Sequence, residues 1–175
     1  RQALNVIPTD TIYLTVDKNA VLKSGMQVNK DSIPNQMVIS LAGKSTLIKS
    51  NLMMLEMLAN ADWTRPLYIA TTVGSDAYAG LGNNQLQEGL ANRIVPYTVD
   101  PDDNMDVNKT YDAVMNRFRF GGLSRKELYI DQTVMRMCYT HRRLMAQLAM
   151  ALLRKGDKAR AQKVLEKSDK EIPYY

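Results

Sequence analysis

The hydrophobic positions of this chain change period along its length. Over 11–17, Ile12, Leu14 and Val16 alternate with Tyr13 and Thr15. Period two predicts a half-buried strand. Residues 17–19 are polar and turn-like, and 20–23 are expected to pair back before Ser24-Gly25 closes the turn. After a loop over 29–34, residues 36–42 alternate again, with Met37, Ile39 and Leu41 on one face. From Ser50, the expected N-cap, the period becomes helical: Leu52, Leu55, Leu58 and Ala59 share a stripe. Residues 60–62 end that helix. Past Trp63-Thr64-Arg65-Pro66, the apolar run 67–71 reads as a buried strand. Strand, helix, strand predicts a right-handed crossover onto a mixed sheet.

The second half reads as more helical. Residues 72–84 are rich in Gly and Ala and form a loop, 85–91 a short helix, and 93–99 a strand with Pro96 at an edge or bulge. An acidic turn over 100–106 leads into a helix over 107–120, where Val107, Tyr111, Val114 and Phe118 share a face and Gly121-Gly122 stops it. Asp131 caps a long helix reaching Lys155, Gly156 breaks it, and a last helix covers 157–170 before Pro173. The expected fold is α+β: a mixed β-sheet layer with crossover helices over 1–106, then a helical region over 107–175, packed as one unit.

Composition narrows the class without naming a function. At 175 residues and 45% hydrophobic, the chain is long enough to bury a core without disulfide or metal. Cys138 is the only cysteine, which excludes a disulfide scaffold. No run approaches about 18 uncharged apolar residues, so no spanning helix is expected. The start at Arg1, with no signal segment, reads as the middle of a longer protein. The net charge of +5 is uneven: residues 1–116 carry 9 basic and 12 acidic groups, residues 117–170 carry 14 and 5. A basic helical tail suits a solvated surface, an acidic partner or anionic lipid. No aromatic ladder accompanies it, so nucleic acid is not an expected partner.

The short motifs are incomplete. Gly43-Lys44-Ser45-Thr46 resembles the end of a P-loop, but Val38 stands where the first Gly belongs. Gly80-Leu81-Gly82 precedes Gln85 where a dinucleotide fingerprint needs a third Gly. The loop 72–84 is still the best pocket candidate, with Arg65, Gly74, Gly80, Gly82 and Arg93 as its ligand residues. Asp100, Asp102, Asn104 and Asp106 have the spacing of a calcium loop, yet Met105 and Tyr111 occupy the Gly and Glu positions. Those carboxylates are expected to stabilise the following helix instead. His141 and Cys138 are three residues apart, without an orienting acid or oxyanion loop, so a packed His is expected. No catalytic residue, metal ligand or cofactor is assigned. Met145, Leu148, Ala149 and Leu152, then Gly156-Asp157, Ala161, Leu165 and Pro173, resemble one tetratricopeptide repeat over 142–175, with Ser168 in place of the usual Ala.

Several segments together resemble a known family. They are Ile39-Ser40-Leu41, the helix 52–59 leading into Trp63-Thr64-Arg65-Pro66-Leu67-Tyr68-Ile69-Ala70, then Glu88 through Pro96, and Asn116-Arg117-Phe118-Arg119-Phe120-Gly121-Gly122. They resemble the C-terminal region of bacterial polytopic membrane proteins of protein O-mannosyltransferase type. The resemblance implies a module outside the membrane, at the periplasmic face of the inner membrane, with the catalytic acids elsewhere in the parent. The expected function is that of a non-catalytic module contacting its own membrane domain, an acceptor or a partner protein. Arg142, Arg143, Arg154, Lys155 and Lys158 are its candidate contact surface. The alternative is a domain that binds a nucleotide-sugar or glycan through the 72–84 loop.

Overall fold

The computed structural model describes residues 9–26, 28–44, 46–125 and 127–172. The opening residues through Pro8, Ser45 of the Gly-Lys-Ser-Thr motif, and the expected terminator Pro173 lie outside them. The chain divides into two compact units. One runs up to Leu86 and includes Asn92–Asp102; the other is Gln87–Ala91 with everything from Asp103 on.

In the first unit, β1 (Thr11–Thr15) pairs antiparallel with β2 (Gln36–Ser40), Tyr13 opposite Val38. Met37 and Ile39 are buried, as the alternation predicts. Residues 18–23 do not pair back. They form α1 (Lys18–Lys23), because the Asp17 carboxylate accepts the Asn19 and Ala20 N–H groups and starts a helix there. Helix α2 (Lys49–Ala59) follows. Ser50 is not its cap: Asn51 Oδ1 accepts the Ile48 N–H at 3.1 Å. Strand β3 (Tyr68–Ala70) buries only Ile69 and is half exposed.

Residues 85–91 are not a helix. They form most of a hairpin, β4 (Gln85–Glu88) and β5 (Ala91–Ile94), turning at Gly89 with φ +69°. A two-residue turn with a left-handed glycine favours a hairpin over helical continuation. The sheet order is β3-β5-β4, separate from β1–β2. The α+β class holds, but as two small antiparallel sheets, with α2 linking one to the other. The first unit's core gathers Val21, Ile33, Met37, Ile39, Leu58, Trp63, Leu81 and Val95.

In the second unit, α3 (Val107–Asp112) is capped by Asp106, whose carboxylate accepts the Lys109 N–H. It widens into a π turn, Ala113–Arg117, where the Phe118 N–H reaches back five residues to the Ala113 carbonyl. Phe118 is then extended, so the expected helix to 120 ends early. Helices α4 (Gln132–Arg154) and α5 (Lys158–Glu171) form the C-terminal hairpin. Asp131 and Asp157 cap them, and Gly156 takes φ +80° between them. Leu148, Leu152 and Val164 are fully buried in the seam.

Candidate functional site

The 72–84 loop is anchored through Ala79 and Leu81, while residues 72–76 are exposed. Ser75–Tyr78 makes a 3-10 turn, and Ala79 and Leu81 are fully buried. A Cβ on Gly80 would stand 2.3 Å from the Ser40 carbonyl oxygen, so glycine there serves a close approach to β2. Asn51 Nδ2 donates to the Ala77 carbonyl at 3.1 Å, fixing the loop to α2. Gly74 and Gly82 are exposed, as is Arg65. Arg93 is 1% exposed, and its guanidinium donates to the carbonyl (3.0 Å) and hydroxyl (2.8 Å) of Ser24 at the C-terminal end of α1. A cation there satisfies carbonyls that the helix leaves unpaired.

The pattern did not single out the outer side of α2. Leu55 and Leu58 are buried, but Leu52 and Ala59 of the expected stripe are exposed. With Ile12, Met53 and Met57 they line an apolar groove of about 670 Å³, in which Glu56 is the one charged lining residue. The legible signal was Met53 and Met57, apolar residues lying off the leucine stripe.

Acidic residues near 100–106 serve the fold. Asp106 caps α3, Asp103 pairs with Lys155 at 3.0 Å, and Lys109 pairs with Glu88 at 2.7 Å. Among the described residues, no group of three or more His, Cys, Asp or Glu is placed to hold a metal ion. His141 sits edge-on to Phe118 and Phe120, with ring centres 5.3 and 5.4 Å away. Burial lowers its pKa below the ordinary 6.5, and among the described residues its Nδ1 has no hydrogen-bond partner. Cys138 is buried and free. This is aromatic packing.

The five basic candidates differ in their surroundings. Arg142 donates to the Ile172 carbonyl and ties α4 to the end of α5. Lys155 is held by Asp103, and Lys158 is exposed at the start of α5. Arg143 and Arg154 lie on the outer side of α4. Sequence reasoning missed their apolar neighbours: Tyr139 and Met150 are each 59% exposed and Leu153 is 49% exposed. It also missed that the 23 residues of α4 contain no acid at all.

None of the helices, among the described residues, is long and apolar enough to cross a membrane. No curated protein and no solved structure matches this chain. A family model does match, over residues 1–112: TMEM260-associated domain 2. TMEM260 is a predicted protein O-mannosyltransferase, so the match supports a companion domain of a glycosyltransferase-like protein. The model covers neither α4 nor α5. On this match, the chain belongs to the TMEM260-associated domain 2 family.

Proposed function

We propose that this chain is a non-catalytic module, outside the membrane, of a membrane-embedded glycosyltransferase-like protein. It works by contact with the membrane domain, an acceptor protein or a partner. Its place is the periplasmic face of the inner membrane, as the resemblance of the sequence implies. The observation that carries the reading is the family match over 1–112. The surfaces support it. The groove beside α2 leaves Met53 and Met57 more than half exposed, and the outer side of α4 alternates arginine with apolar side chains. Exposed apolar area of this kind is a feature of interaction surfaces.

The test is glycosyl transfer by the parent protein in membranes, with and without this segment. Deletion is expected to reduce transfer to protein acceptor while leaving donor binding in place. Turnover of a sugar-phosphate or lipid-linked sugar donor by the isolated chain would overturn the reading.

A further inference from the structure

The outer side of α4 carries a heptad seam. Arg136, Tyr139, Arg143, Ala146, Met150 and Leu153 follow one another at alternating steps of three and four residues. All six are exposed. Their spacing is that of positions a and d, which places them along a single line on the helix. The opposite side of the same helix is already committed: Cys138, Leu144, Met145, Leu148 and Leu152 are buried in the second unit's core. A helix of 23 residues therefore presents two faces, one satisfied and one not.

We propose that this seam docks an acidic amphipathic helix of a partner protein. Charge complementarity identifies the occupant. α4 holds four arginines and no carboxylate. Arg142 is tied to Ile172, but Arg136 and Arg143 make no ion pair among the described residues. They stand on the seam itself, at two a positions, with Arg154 at its edge. The partner helix sets Asp or Glu opposite Arg136 and Arg143, where guanidinium and carboxylate form paired hydrogen bonds. It sets apolar side chains against Tyr139, Met150 and Leu153, and Ala146 lets the two backbones approach closely. A second copy of this chain is a poor occupant, because its own α4 offers no carboxylate to pair with Arg136 and Arg143. A bilayer is a poor occupant too. Lying on lipid needs a broad apolar face, whereas a line of a and d positions fits one helix.

The proposal rests on the interaction part of the reading above and not on glycosyl transfer, so the two fail separately. The probe is a synthetic fluorescein-labelled helical peptide. It carries Leu at its own a and d positions, and Glu at the two sites facing Arg136 and Arg143. Its binding to the chain is followed by fluorescence anisotropy, beside a peptide with Lys at those two sites and vesicles containing phosphatidylglycerol. The Glu peptide is expected to bind at least about tenfold more tightly than the Lys peptide. The double variant Arg136→Glu/Arg143→Glu is expected to reverse that preference, whereas Lys163→Glu, on exposed α5 surface, leaves it unchanged. Equal binding of the two peptides to the unaltered chain overturns the proposal without recourse to any variant. So does vesicle binding that the double variant abolishes while neither peptide binds, and so does self-association that the double variant alters.

Discussion

The two units are held together by different physics. The second is built on one helical hairpin: α4 and α5 are joined at Gly156 and zip along Leu148, Leu152 and Val164, and distant polar bonds such as Lys155 to Asp103 and Lys167 to the Met115 carbonyl are added to that apolar seam. The first depends on polar tethers between residues far apart in the chain. Trp63 Nε1 donates to the Thr15 carbonyl at 3.3 Å, Arg93 to Ser24, and Asn51 to Ala77. Two non-glycine residues of the first unit, Trp63 and Ala79, hold left-handed backbone angles, φ +62° and +45°. Such angles persist only where the surroundings over-determine them. A helical hairpin draws its stability from periodic burial, whereas small sheets with short strands need side chains to anchor the chain between them.

That contrast is sharpest at Trp63, which is 6% exposed. Trp63→Ala is expected to cost about 3–5 kcal/mol. Hydrogen exchange would show the β1 and β2 amides losing protection while those of α4 keep theirs. Equal loss in both would break the comparison, making the chain one cooperative unit. Leu148→Ala is the converse test, with an expected cost of about 2–5 kcal/mol. Far-ultraviolet circular dichroism in urea should shift its midpoint, while fluorescence of Trp63, the one tryptophan, shifts less.

Next in size is Arg93→Met, which keeps the aliphatic volume and removes the guanidinium bonds to Ser24. About 1.5–3 kcal/mol is expected, read as a lower urea midpoint by Trp63 fluorescence. An unchanged midpoint would mean that the tether contributes packing alone.

The smallest effect is a pH dependence. Burial lowers the His141 pKa from 6.5, so the unfolded chain takes up the proton first. Stability from neutral His141 is present above about 6.5 and lost as pH falls through the lower folded value. Asp62 is lowered mainly by the Thr64 hydroxyl, Asp112 by the Asn116 amide and Asp157 by the Arg160 backbone N–H. Their losses come only below the ordinary 3.8. Between about pH 7 and about pH 5, the second unit's melting temperature should therefore fall. His141→Phe should flatten that slope, and a slope that persists in the variant would remove His141 as its cause.

Legibility followed the same divide. The caps Asp131 and Asp157 and the break at Gly156 were readable, because capping and helical period depend on residues a few positions apart. Strands β1 and β2 were readable from alternation. Residues 18–23 are not legible as a helix because the polar run at Asp17 suits a turn as well as a cap, and only the folded chain shows its carboxylate capping α1. Residues 85–91 are not legible as a hairpin because a lone glycine is compatible with a short helix, and only its φ of +69° makes Gly89 a hairpin corner. For the candidate faces, residue types were visible but their exposure was not. Arg142 and Arg143 are neighbours in sequence, yet one closes the hairpin and the other faces outward.

By itself, the sequence determined the α+β class, the capped hairpin, the uneven charge and a likeness to a glycosyltransferase-associated region, since these are properties of composition and near neighbours. Tertiary structure decided that the strands fall into two sheets, that Arg93 is internal, and that α4 turns Arg136, Arg143 and Met150 outward. Those outcomes depend on which surfaces meet across long stretches of chain. Hydrophobic burial is set by that meeting and not by the order of residues alone.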